Sequence, residues 1–189
     1  MQLTGIAHQI WDEKYRYKNN QGEPIDQTVS DTFERVANAL AQAEDTATKQ
    51  SKYAAEFYHA MARFDIIPAG RVLAGAGVDR EVTLMNCFVM GKVPDSLPGI
   101  HDMLKCAALT MQQGGGIGTD FSTLRPHGAL ISKLGVGASG PLTFMDEWDA
   151  MCRSIMSAGH RRGAMMGTLR IDHPDIEAFI EAKRDKHRW

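Results

Sequence analysis

Three kinds of group in this sequence could do chemistry: thiols, arginines in glycine-flanked loops, and glycine runs that leave the backbone open. Cys87 follows Asn86 in a stretch where Val82, Leu84, Phe88 and Met90 share one parity and Thr83, Met85, Cys87 and Val89 the other. That alternation predicts a strand on which Asn86 and Cys87 point to opposite faces. Gly114-Gly115-Gly116-Ile117-Gly118 comes one helix later, and a second strand is expected after it. Cys87 and the glycine turn are therefore expected close together at a strand end, where open α/β sheets place their ligands.

The other thiols read differently. Cys87, Cys106 and Cys152 are an odd set at wide spacing, which argues against a disulfide framework or a zinc site and leaves at least one thiol free. Cys106 falls among small apolar residues and Cys152 in a methionine-rich helix, and both suit a small buried hydrophobe. The 11 methionines read as adaptable core filling. Arg161 and Arg162 sit in the glycine-flanked loop 157–164, and Arg125 stands beside Pro126 and Gly128. Guanidinium forks in such loops favour an anionic ligand, phosphate or carboxylate, with a solvated basic turn as the plain alternative. His101, His127, His160 and His173 share no ligand spacing, so no metal is assigned. Asp172-His173-Pro174-Asp175 reads mainly as helix capping.

The glycine run is not a dinucleotide or phosphate loop of the usual order, which needs a strand before the glycines and a helix after them. Here the order is reversed, so the run reads as a helix C-cap and tight turn, with close approach of a ligand to bare backbone left open. A net charge of -2 over 189 residues gives no global basic field and speaks against long nucleic-acid tracking. No apolar run approaches the roughly 20 residues of a membrane span, and residues 1–14 resemble neither a signal nor a transit peptide, so the cytoplasm is the expected location.

These groups need elements to hold them. Ile10, Trp11, Tyr15 and Tyr17 are expected to dock on the body around a turn at 21–24. Thr28 and Asp31 form a capping box before Phe33, Val36, Ala37 and Leu40 at helical spacing, and Ala54, Phe57, Met61 and Ala62 mark a partner helix. The composition shifts at 64–68, which places a helical domain at 1–66 and an α/β domain at 67–189. From Val82 onward strands and helices alternate. Ser96-Leu97-Pro98 and Ser139-Gly140-Pro141 open helices, residues 164–171 form a strand, and Asp172 and Asp175 cap a last helix that buries Ile176, Phe179 and Ile180. Such alternation implies a parallel sheet with helical cover. A closed barrel commonly takes about eight strands and roughly 250 residues, so the fold class is α/β with part of the sheet missing.

In order and spacing, the motifs resemble those of a known family. Asn86-Cys87-Phe88-Val89, Asp95-Ser96, the glycine run with Phe121-Ser122-Thr123-Leu124-Arg125-Pro126, Ser139-Gly140-Pro141, Arg161-Arg162-Gly163-Ala164 and His173-Pro174-Asp175-Ile176 are similar to the large catalytic chain of ribonucleotide reductases, closest to the adenosylcobalamin-dependent class II type. The resemblance implies the first part of that family's α/β barrel behind a helical segment. It implies ribonucleotide reduction by a cysteine thiyl radical and a redox cysteine pair, with Cys87 as the first of the pair. Asn86, Gly116, Arg71 and Arg161 match substrate-binding positions. Asp95, Ser96, Leu97 and Arg125 match the site where a deoxynucleotide or ATP effector sets substrate choice, and residues 157–166 match the loop that relays it.

The family's radical cysteine and the second redox cysteine have no counterpart here, and neither Cys106 nor Cys152 sits in a matching motif. The expectation is an N-terminal portion or split subunit, inactive alone, whose partners are the remainder of the catalytic chain, a thioredoxin-like reductant and, when complete, a second copy. A stand-alone deoxynucleotide- or ATP-binding regulator without catalysis is the alternative.

Overall fold

Thr28 begins the first well-framed helix as its sequence demands. Its hydroxyl accepts from the Asp31 backbone N–H, and the Asp31 carboxylate accepts from the Thr28 N–H. The structure, a computed structural model, describes residues 3–155 and 163–184. It divides into two compact units, Met1–Asn86 and Cys87–Trp189.

The first unit is helical, with α1 (Gly5–Lys14), α2 (Val29–Ala41), α3 (Ala47–Ala62) and α4 (Gly70–Gly75). Val36, Ala37 and Phe33 of α2 pack with Met61 of α3, Trp11 of α1, and Leu73 and Ala76 around α4. A buried ion pair sits beside this core. Arg35 Nη2 donates to Asp26 Oδ2 at 2.9 Å and to the Leu73 carbonyl at 3.1 Å. The same Asp26 oxygen accepts from Thr32 Oγ1 at 2.6 Å, and Thr32 Oγ1 accepts from Trp11 Nε1 at 3.0 Å. Full hydrogen bonding is what lets a charge pair survive burial.

The unit continues beyond the composition shift, so the division falls after Asn86 and not at the expected 66/67 boundary. The segment 68–77, where Pro68, Gly70, Gly75 and Gly77 suggest a broken backbone, carries α4. Val82 and Leu84 then pack so closely on α4 that a Cβ at Gly75 would lie 2.9 Å from Val82 Cγ2 and 3.1 Å from Leu84 Cδ2.

The second unit holds β1 (Cys87–Lys92), α5 (Leu97–Gln112), β2 (Gly116–Asp120), the hairpin β3 (Leu130–Ile131) and β4 (Val136–Gly137), α6 (Pro141–Ser154), β5 (Met165–Thr168) and α7 (Ile176–Glu181). β1, β2 and β5 are parallel neighbours in that order. The strand expected from Val82 therefore starts at Cys87. One run of alternating apolar residues serves two cores: Val82 and Leu84 belong to the first, while Met90 packs on the second and the Phe88 ring lies beside Gly115.

Ile100, Ala107 and Met111 of α5 and Met145 and Trp148 of α6 cover one face of the sheet, with Ile117, Phe121 and Leu124. The glycine run ends α5 as expected. Gly114 has φ 93°, its N–H donates to the Met111 carbonyl, and the Gly115 N–H donates to the Thr110 carbonyl, the Schellman pattern.

The sheet is open, with β1 and β5 as its edges among the described residues. Helices first, then a parallel α/β sheet that does not close, is the architecture the sequence implies.

At α7 the expectation fails in part. Ile180 is 60% exposed, and Asp175 stands at the N-cap position without giving its side chain to the helix.

Candidate functional site

Cys87 and Gly116 are direct neighbours across the first two strands, because the parallel register pairs Cys87 with Gly116, Phe88 with Ile117 and Val89 with Gly118. Alternation sends Phe88 and Ile117 toward the helices, so Cys87 and Gly116 share the opposite, open face. Cys87 is exposed. Beside it that face carries Val89, 95% exposed, and Met166 on β5, with Gly118 between them. The proximity expected of Cys87 and the glycine run is present, but at the starting ends of the strands and not at the carboxyl ends where open sheets usually bind ligands. Because β2 has glycine at 116 and 118, a groove of bare backbone runs between the two outer strands.

The other thiols differ from Cys87. Cys106 is exposed on α5, so its expected burial fails, whereas Cys152 is half-buried against the second core. Burial pushes the Cys152 thiol above its ordinary value, and the Asp149 carboxylate adds to the effect.

A second constellation forms at the carboxyl ends of β1 and β2. Ser96 caps α5, its hydroxyl accepting from the Gly99 N–H at 3.3 Å, and Leu97 is 61% exposed beside it. Arg125 Nε donates to Asp95 Oδ2 at 2.9 Å, and the Arg125 backbone N–H donates to Asp95 Oδ1 at 3.2 Å. Asp95, Ser96, Leu97 and Arg125 are thus gathered at one helix start. A guanidinium and a helix N-terminus suit a phosphate-bearing ligand, which would compete for them with the Asp95 carboxylate and the Ser96 hydroxyl.

Next to this lies a cleft of about 310 Å³ lined by Lys92, Ser122, Thr123, Arg170, Asp172 and His173. Behind its Ser122, Asp120 accepts from the Ser122 hydroxyl and from the Ser122 N–H at 3.0 Å, which holds its carboxyl below the usual carboxylate value. Arg170 forks onto Asp172 and lowers that carboxyl in the same way.

The remaining candidates are scattered. Arg71 lies half-buried on α4 of the first unit, and Asn86 is the exposed last residue of that unit. Of the loop 157–166, expected to relay the effector, Arg161 and the rest of 157–162 lie outside the described residues, and its end runs into β5. Among the described residues no group of three or more His, Cys, Asp or Glu could hold a metal ion, and no helix is long and apolar enough to cross a membrane.

Sequence reasoning missed the place of His173. It is 7% exposed, with Nε2–H donating to the Leu124 carbonyl at 2.8 Å and Nδ1 accepting from the Asp175 N–H at 3.1 Å. No spacing signals a bond across 49 residues.

A helical unit followed by an open parallel α/β sheet, with a thiol on the first strand and an anion-suited turn at the first helix start, defines a class that comparison resolves. Residues 1–81 match the family described as "Ribonucleotide reductase, all-alpha domain" and residues 85–188 the family described as "Ribonucleotide reductase, barrel domain". The chain is 34% identical over 187 residues to the vitamin B12-dependent ribonucleoside-diphosphate reductase of Mycobacterium tuberculosis, covering 98% of this chain and 27% of that protein. It is 35% identical over 163 residues to the protein of that name from Thermoplasma acidophilum, covering 86% and 21%. With the ribonucleoside-diphosphate reductase subunit alpha of Helicobacter pylori it shares 31% over 173 residues, 92% and 21%. The chain belongs to the ribonucleotide reductase large-chain family. It spans about a quarter of the length of the curated relatives it matches.

Proposed function

We propose that this chain supplies the first part of a catalytic subunit that reduces ribonucleotides, most simply diphosphates, to deoxyribonucleotides. The observation that carries this is Cys87, exposed on the open face of β1 with Gly116 directly across the pair. In the step assigned to it, Cys87 and a second thiol each give up one electron and one proton and become joined as a disulfide. The ribose 2′ hydroxyl leaves as water and a hydrogen takes its place. A thioredoxin-like dithiol would then reduce the disulfide by exchange. Gly116 would let the ribose lie against backbone, and Asn86, Arg71 and Arg161 would contact the rest of the substrate.

The second thiol and the radical-bearing cysteine are assigned to the remainder of the catalytic chain, because Cys106 and Cys152 both lie on helices outside the β1–β2 groove. Adenosylcobalamin is proposed for the complete enzyme because close relatives are named vitamin B12-dependent. That group would generate the thiyl radical. Among the described residues no group of three or more His, Cys, Asp or Glu could hold a metal ion, so none of them is given a part in holding it. The complete enzyme is proposed to work in the cytoplasm as a homodimer.

Asp95, Ser96, Leu97 and Arg125 are proposed to bind a deoxynucleotide or ATP effector. A second function, a stand-alone nucleotide-binding regulator, is favoured by one specific fact: Asp95, Ser96, Leu97 and Arg125 come together at one helix start within the second unit.

The test is reconstitution with a separately expressed remainder. Cys87→Ser is expected to abolish multiple turnover while leaving dATP binding intact. Turnover that persists in Cys87→Ser overturns the redox assignment. Saturable dATP binding with no reduction under any reconstitution favours the regulator.

A further inference from the structure

Arg125 begins with the peptide group that joins it to Leu124, and two residues grip that group from opposite sides. Its carbonyl, Leu124 O, accepts from His173 Nε2 at 2.8 Å, and its N–H donates to Asp95 Oδ1 at 3.2 Å. A peptide group is planar, so fixing both ends fixes the whole plane and the direction in which the Arg125 side chain departs. Two residues further on, the His127 N–H donates to Asp175 Oδ2 at 2.9 Å, and Asp175 in turn donates its own N–H to His173 Nδ1 at 3.1 Å. His173 and Asp175 therefore form a closed clasp over the segment 124–127. Because Nδ1 accepts, Nε2 carries the hydrogen, and the tautomer that holds Leu124 is the one Asp175 enforces.

This clasp explains why Asp175 leaves α7 without a side-chain cap. It also brings the segment just after β5 into contact with the loop after β2.

We infer that His173 is a positioning residue for Arg125, the cation that Asp95 orients at the helix start, and that a nucleotide triphosphate there depends on it. The inference deepens the effector role proposed above and rests on it. Removing the ring leaves the buried Leu124 carbonyl unpaired, so the peptide plane rotates toward another donor and the guanidinium moves away from the helix start. Losing one such buried bond corresponds to about tenfold in affinity.

The test compares the wild-type chain with His173→Ala, His173→Gln and His173→Asn. Two readouts are taken: amide hydrogen exchange at Arg125 and His127, and dATP affinity by calorimetry. His173→Ala is expected to speed exchange at both amides and to weaken dATP about tenfold. Glutamine places its amide nitrogen as many bonds from Cα as Nε2, so His173→Gln restores the Leu124 bond and most of both readouts. Asparagine reaches only the Nδ1 position and is expected to restore neither. His173→Leu, taken as a fourth variant, fills similar space without a donor, so a merely space-filling histidine would be replaced as well by Leu as by Gln.

Unchanged exchange and affinity in His173→Ala overturns the inference. If His173→Ala does not fold, equal behaviour of Gln and Asn overturns it, and protection by Gln alone supports it. If the wild-type chain binds no dATP, the effector proposal fails, and the exchange measurement still decides whether His173 holds the loop.

Discussion

Phe88 lays the edge of its ring where a side chain on Gly115 would have to stand. A Cβ on Gly115 would lie 2.7 Å from Phe88 Cε2, 2.8 Å from Cδ2 and 3.1 Å from Thr110 Cγ2. The first strand thus locks against the glycine turn next to Cys87, and the close packing forbids even a methyl group.

Gly115→Ala is accordingly expected to destabilise the second unit by about 1–3 kcal/mol, the usual cost of overpacking. Gly114→Ala meets a different obstacle, a left-handed backbone that costs about 1 kcal/mol for a residue with a Cβ. Urea unfolding of the two variants should rank Gly115→Ala as the less stable. The reverse order would mean that the ring yields and the backbone does not.

Thiol labelling of the folded chain should proceed at Cys87 and Cys106 well before Cys152. The first two are exposed, while burial and the neighbouring Asp149 hold the Cys152 thiol protonated, and the thiolate is the reactive form. Mass spectrometry of a timed iodoacetamide reaction at pH 8 checks this. Early modification of Cys152 would contradict its packing against the second core.

In the first unit, Asp26→Asn is expected to cost about 3–5 kcal/mol, because it strands the Arg35 guanidinium among buried groups. Denaturant unfolding followed by a signal from Trp11, whose indole is tied to Asp26 through Thr32, reads the change. A loss below about 1 kcal/mol would show that water reaches the pair.

Acid should weaken the second unit partly through Asp120. The Ser122 hydroxyl and N–H lower its carboxyl, so the folded state favours the charged form. The stabilisation is complete above the unfolded value of about 4 and is lost as pH falls through the lower folded value. Asp120→Asn should therefore be less stable at neutral pH by no more than about 1 kcal/mol, since the group is partly exposed and screened. Below about pH 4 the gap to wild type should narrow. A gap that widens in acid would reverse the assigned sign.

What the sequence disclosed follows the range of the interactions. The Thr28 and Asp31 box, the Ser96 cap and the inward Phe88 and Met90 depend on neighbours within a few residues, and they were legible. So was the closeness of Cys87 to the glycine run, since a strand, a helix and a strand leave few ways to connect.

Val82 and Leu84 misled because alternation does not say which core a residue serves. Asp175 misled because a cap signature is local, while its carboxylate is spent on His127, 48 residues away. The clasp on Leu124 and the end of the sheet at which Cys87 lies needed the assembled chain.

A strand tells inside from outside only by odd and even, and β1 changes its count once. The register slips between Val89 and Gly91, where Gly91 takes φ 90°, and past that point Lys92 rather than Gly91 stands on the side of Cys87, in line with Asp120. Were all six residues to alternate strictly, with none set aside at the slip, Lys92 would fall on the side of Phe88 and drive an ammonium group in among hydrocarbon beneath the helices. The residue set aside at the slip thus keeps that charge in water, and an unslipped strand of the same length could not.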